Sequence, residues 1–177
     1  TSGNSTSKFG ESVDISGDYL IVGEHRNNTN GNFAGAAHIY SFYNQCWHIQ
    51  NVFYGHEAND QLGRSVAISG DNAVAGSPFA DMNGLNESGA ATLYQLTPFS
   101  GGESFWSETF HFAPDGAAAG DWFGDAVDID GDLLAIGVPR DDEYVINGGA
   151  GYFLFDCAGG SLACVNEGFA CDAMQND

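Results

Sequence analysis

Residues 122–155 read WFGDAVDIDGDLLAIGVPRDDEYVINGGAGYFLF. Phe123-Gly124 leads into an alternating run, Ala126, Val127 and Ile129, that breaks at Asp130-Gly131-Asp132. A second apolar run, Leu133 to Ile136, ends at Gly137 and Pro139; an acidic loop follows, and Gly149 to Phe155 is apolar again. Period-two alternation bounded by Gly, Asp and Pro predicts strand, tight turn, strand, loop, strand, which is antiparallel β structure.

The same pattern stands twice upstream. Phe9-Gly10 precedes SVDISGDYLIVG, the loop EHRNNTNGNFA and GAAHIYSF; Leu62-Gly63 precedes SVAISGDNAVAG, the loop SPFADMNGLNES and GAATLYQL. A further tryptophan-bearing run follows each of these two copies, CWHIQNVF at Cys46 to Phe53 and FWSETFHF at Phe105 to Phe112. Four short strands per repeat of roughly 40–60 residues predict propeller blades. Strands are expected near 9–16, 19–23, 35–42 and 46–53, near 62–69, 72–76, 89–96 and 105–112, and near 123–130, 133–137 and 149–155. Val13, Ile15, Val66, Ile68, Val127 and Ile129 share one position in the three copies and are expected to face the core.

The phrase FG-x-SV-x-I-x-GD, a loop, then GAA-x-x-Y resembles the FG-GAP repeat, the blade unit of integrin α-chain head propellers and of many secreted microbial proteins. The segment APDGAAAGDWFG resembles the linker of the shorter FG-GAP variety. The copies depart from the pattern at Leu62, which replaces Phe, and at the GAP triplet, which reads Gly23-Glu24-His25, Gly76-Ser77-Pro78 and Gly137-Val138-Pro139. The resemblance implies an all-β chain of three antiparallel propeller-type blades, either an incomplete propeller or an open array. The division is an arm at 1–7, repeats at about 8–53, 62–112 and 123–156 within 8–156, and a cysteine-rich tail at 157–177. Three blades are fewer than the roughly four to eight of a closed propeller.

Composition agrees with a turn-rich β protein: 25 glycines and 13% aromatic residues among 177. The formal net charge is −20, with only Lys8, Arg26, Arg64 and Arg140 positive, which excludes nucleic acid as a partner. The charge serves solubility, or is offset by bound cations as in secreted calcium proteins. No run approaches the roughly 20 apolar residues of a membrane span.

Cys46, Cys157, Cys164 and Cys171 fit no zinc spacing, and an even count points to disulfides in an oxidising compartment. Sequons at Asn4, Asn27 and Asn86 point the same way. Repeat three has no tryptophan-bearing fourth strand. Its open edge is filled either by Ser161 to Val165 of the tail or by a strand from a neighbouring chain.

Asp128-Ile-Asp130-Gly131 resembles the nucleophile loop of haloacid-dehalogenase-like phosphatases. The matching slots are Asp14-Ile-Ser16-Gly17 and Ala67-Ile-Ser69-Gly70, so the nucleophile position is Ala in one copy. What recurs is Gly17-Asp18, Gly70-Asp71 and Gly131-Asp132, a hairpin turn. Integrin-type blades bind calcium through D-x-D-x-D-G, a spacing absent here. The candidate calcium oxygens are instead Asp81, Asn83, Asn86 and Glu87 in one loop and Asp141, Asp142 and Glu143 in another, set against the plainer reading of solvated acidic loops. His25, His38, His48, His56 and His111 are scattered without ligand spacing, and no hydrolase, phosphate-loop or dinucleotide motif occurs. Trp47, Trp106 and Trp122 are read as packing between blades rather than sugar platforms.

The expected function is that of a non-enzymatic extracellular structural or adhesive protein, secreted or at the cell surface. It would self-assemble into a ring or filament, or bind other proteins, through its blade surfaces. The alternative is a calcium-assisted carbohydrate- or ligand-binding module.

Overall fold

The structure, a computed structural model, describes residues 6–98, 104–142, 148–157 and 161–165, with side chains as far as Leu154. It is all β, without helices among the described residues, in three four-stranded antiparallel sheets that do not close on one another. The first sheet holds β1 (Val13–Ser16), β2 (Tyr19–Gly23), β3 (Ala36–Tyr43) and β4 (Cys46–Tyr54) in chain order. The second holds β5 (Ser65–Ser69), β6 (Asn72–Ser77), β7 (Ala90–Pro98) and β8 (Ser104–Phe112). The third holds β9 (Ala126–Asp130), β10 (Leu133–Val138), β11 (Ala150–Cys157) and β12 (Ser161–Val165).

Local chemistry explains the corners. Ser16 pairs with Tyr19, Ser69 with Asn72 and Asp130 with Leu133, leaving the two-residue loops Gly17-Asp18, Gly70-Asp71 and Gly131-Asp132. Each Gly has φ between 56° and 60°, as a II′ hairpin requires of its first loop residue. The β3–β4 turn has both Asn44 and Gln45 at positive φ, the I′ alternative. Register shifts at Ile39/Tyr40 and at Leu93/Tyr94 put an irregularity at the same place in blades one and two.

The tail supplies the fourth strand of blade three. Ser161–Val165 pairs antiparallel with β11, from Cys157 opposite Ser161 to Phe153 opposite Val165. Of the two ways to fill that edge, the backbone takes the one within the chain.

The core is two layers between blades. Between the first two sheets, Ile21, Ala37 and Ile39 meet Leu62, Val66, Ile68, Ala73, Ala75, Tyr94 and Trp106. Between the second and third, Ala67, Val74, Ala91 and Leu93 meet Phe123, Ile129, Leu134, Ile136, Val138, Tyr152 and Leu154. The middle sheet thus buries both faces, which is why the centres of β5 and β6 are small or apolar at successive positions rather than alternating. Each fully buried large side chain is worth about 1.5–3 kcal/mol.

Of the six residues expected in the core, Val66, Ile68 and Ile129 are buried and Val127 is half-buried. Val13 and Ile15 are not: they are 56% and 59% exposed. Their side chains point to the face of blade one that the other blades cover with a preceding blade, and no such blade lies among the described residues.

Candidate functional site

The innermost strands β1, β5 and β9 lie side by side, and their alternate polar residues bond one blade to the next. Ser12 Oγ accepts from Val66 N (3.0 Å), Asp14 Oδ2 from Ile68 N (2.8 Å) and Ser16 Oγ from Gly70 N (3.0 Å). One blade further on, Ser69 Oγ accepts from Gly131 N (2.9 Å) and Ser65 Oγ donates to Gly124 O (2.8 Å). Ala67 occupies the Asp14 slot and accepts nothing, so Ile129 N turns to its own Asp128 Oδ1 at 3.0 Å. Sequence reading passed over this ladder because Ser12, Asp14 and Ser16 alternate with Val13 and Ile15 just as solvent-facing residues would. Recurrence of the hydroxyl at Ser16 and Ser69 was the available signal.

Glycines set how closely the blades approach. A methyl on Gly23 would stand 2.0 Å from Gly63 O, and one on Gly76 would stand 1.9 Å from Gly124 O. The glycine at or next to the end of one blade's second strand and the FG-position glycine of the next are therefore in backbone contact, closer than any side chain allows. Alongside, Leu62 bridges in parallel to Gly35, and Phe123 to Gly89.

At the two ends of the array the same positions have no neighbour. Gly10, at φ 84°, has nothing within 4 Å of where its Cβ would be. Phe9 is 50% exposed, whereas its counterparts Leu62 and Phe123 are 3% and 1% exposed. Val13, Ile15, Trp47 and Ile49 complete an exposed apolar face on blade one, and Leu133 and Phe153 stand exposed on the far face of blade three. Beneath Phe9 lies a buried polar pair: Glu24 Oε2 is 2.8 Å from His38 Nε2 and accepts from Asn27 Nδ2 at 2.8 Å. The Phe9 ring stands edge-on to His38, with centroids 5.1 Å apart. Trp106 is buried against Tyr19 between blades, as expected; Trp47 is exposed, and Trp122 stands half-buried under the Arg140 guanidinium, 3.3 Å from its ring centre.

The predicted loop residues are partly brought together. Asp81, Asn86 and Glu87 line an open cavity of about 340 Å³ with Phe79 and the linker Glu57, Ala58, Asn59, Asp60 and Gln61; Asn83 is not in its wall. Asp81 Oδ1 accepts from Glu87 N (2.8 Å) and Glu87 Oε2 from Trp122 Nε1 (3.2 Å), so both carboxylates already serve the loop. Asp60 Oδ2 accepts from Glu57 N, and Asp121 Oδ2, the counterpart one blade on, from Ala118 N; burial raises the pKa of both. Among the described residues no three His, Cys, Asp or Glu side chains are grouped to hold a metal ion. Asp141 is buried, Asp142 is exposed, and Glu143 lies outside the described residues.

The remaining candidates are dispersed. Cys46 is exposed and makes no disulfide with another described side chain; Cys157 and Cys164 lie on β11 and β12, and Cys171 and Asn4 lie outside the described residues. Asn86 is exposed, while Asn27 uses its amide to bond Glu24 and to accept from Thr29 N at 2.8 Å. His111 Nδ1 lies 2.9 Å from Thr92 Oγ1, and its ring stands edge-on to His56, which reaches Glu108 at 3.2 Å. Burial first, then His56, lowers its pKa to about 4.

Fold and site together define a class: an open array of propeller-type β blades packed face to face. The FG-GAP repeat model matches residues 2–40, 54–94 and 106–155, and the chain belongs to the FG-GAP repeat family. Each matched segment contains one FG turn with the hairpin that follows it. Such repeats build propeller-type protein-binding modules, are generally non-enzymatic and occur in extracellular and cell-surface proteins. No curated protein matches the chain.

Proposed function

We propose that this chain is a non-enzymatic extracellular structural or adhesive module that binds proteins, copies of itself included, through the end faces of its blade array. The observation that carries this reading is Phe9, Val13 and Ile15: half or more exposed in blade one, at positions that are buried or half-buried wherever a preceding blade is present. A face built to pack on a blade is costly to leave in water, and a head-to-tail contact is heterologous, so it closes as a ring or continues as a filament. Sequons and an even cysteine count support the extracellular setting, with all four cysteines oxidised; a thiol titration of the denatured, unreduced chain that found free Cys46 would contradict the latter. Replacing Val13 and Ile15 by Ser leaves the interior untouched and should abolish association seen by light scattering. Association of the variant at wild-type strength would overturn the reading.

The second reading, calcium-assisted ligand binding with glycans among the ligands, is favoured by the cavity at Glu57, Asp60, Asp81 and Glu87. Calorimetric titration with calcium chloride tests it. Heat lost in an Asp81→Asn variant would support it, and no heat at millimolar calcium would remove it.

A further inference from the structure

The blade–blade contact is written three times in this chain, twice as a filled interface and once as two separated halves. From the filled copies the missing one can be specified residue by residue. Gly23 meets Gly63 and Gly76 meets Gly124, so the half left on blade three is Gly137 and the half left on blade one is Gly10. Gly35 bridges Leu62 and Gly89 bridges Phe123, which leaves Gly149 and Phe9. Ser16 accepts from Gly70 N and Ser69 from Gly131 N, which leaves Asp130 as acceptor and Gly17 N as donor. Asp14 accepts from Ile68 N, which leaves Asp128 facing Ile15 N. Ile15 N would then exchange its own Asp14 Oδ1, 2.8 Å away, for the incoming carboxylate.

We infer that two copies of this chain dock blade three of each onto blade one of the other, by these four contacts, and close a six-bladed ring. This rests on the binding role proposed above and fixes its partner and register. The occupant is a second copy because each half-site matches the other in kind: acceptor to amide, glycine to glycine, ring to open backbone. Two three-bladed chains together give six blades, within the range of about four to eight in which propellers close.

One feature opposes closure. Arg64 sits between two acids, 3.5 Å from Glu11 and 3.7 Å from Asp125. At the junction the same positions bring Asp125 to Glu11 with no arginine between them. Two like charges repel there, on top of −20 per chain, so docking strengthens as salt or a divalent cation screens them.

Sedimentation velocity of the full chain across protein and salt concentration, with three variants, tests the register. The wild type should sediment as a dimer at moderate salt. Gly137→Ala should be monomeric: inside one chain the added methyl meets Ala126 Cβ at 3.3 Å, but at the junction it would strike the Gly10 carbonyl as a Gly76 methyl strikes Gly124. Asp128→Ala should weaken dimerisation about tenfold or more through the lost charged hydrogen bond. Asp125→Asn should move dimerisation to lower salt. Thermal melting confirms that each variant folds, and the exposed Asp128 and half-buried Asp125 variants carry the test if Gly137→Ala does not. A wild type that dimerises equally with Gly137→Ala and Asp128→Ala would overturn the register while leaving protein binding standing. Open-ended species would overturn closure, and a wild type that stays monomeric would overturn both this inference and self-association.

Discussion

At the scale of single residues, position within the array outweighs residue type. Ile15 and Ile129 occupy the same slot, yet one is 59% and the other 8% exposed. Ile129→Ala should therefore cost about 2–4 kcal/mol in urea unfolding through lost burial and a cavity against Leu134 and Val74. Ile15→Ala in the monomer should stay within about 0.5 kcal/mol. Equal losses at the two sites would mean that both faces are packed alike. Gly76→Ala is expected to lose about 1–3 kcal/mol or more, since its methyl would stand 1.9 Å from a backbone oxygen that cannot swing aside. Unchanged melting of that variant would show that the blades are spaced further apart. The glycine pattern was visible in the sequence as the FG and GAP phrases. Which glycine touches which was not, because the contact joins residues some forty to fifty positions apart.

At the scale of elements, the strands were legible wherever alternation ran between Gly-Asp turns; most fall close to their expected spans, but β1, β5 and β9 begin later than expected because Gly10, Gly63 and Gly124 turn the chain at positive φ. Strand β12 was legible only as one of two ways to fill an edge, since SLACV is short and has no turn chemistry of its own. The exposure of Val13 and Ile15 could not be read locally, because a strand's pattern records the face it was built to cover and not whether a neighbour is there. The loop candidates were legible as acidic, but not that Asp81 accepts from Glu87 N and Glu87 from Trp122 Nε1, contacts that depend on how the loop folds back. At β8, His111 gives a pH dependence. Unfolded, it takes a proton near the ordinary value of 6.5; folded, burial delays this to about 4. Its contribution is present above pH 6.5 and is lost as pH falls from there through 4. Asp60 and Asp121, with raised pKa values, act in the opposite sense as pH falls. A His111→Gln variant separates them: wild type should lose more stability than the variant between pH 7 and pH 4.5. Parallel losses would mean that His111 is protonated in the fold.

At the scale of the whole molecule, two apolar layers hold three blades together, and the outer faces of blades one and three meet no further blade among the described residues. The proposed association rests on surface complementarity between β blades. The acidic surface makes that complementarity conditional, so association should rise with ionic strength, the reverse of a contact held by opposite charges. Native mass measurement of the intact chain, at rising protein concentration and in a volatile salt of moderate strength, tests the central claim most directly. The expected result is a discrete species of twice the 18.7 kDa chain that falls apart on dilution. A single-chain mass at every concentration, with salt or calcium present, would contradict it.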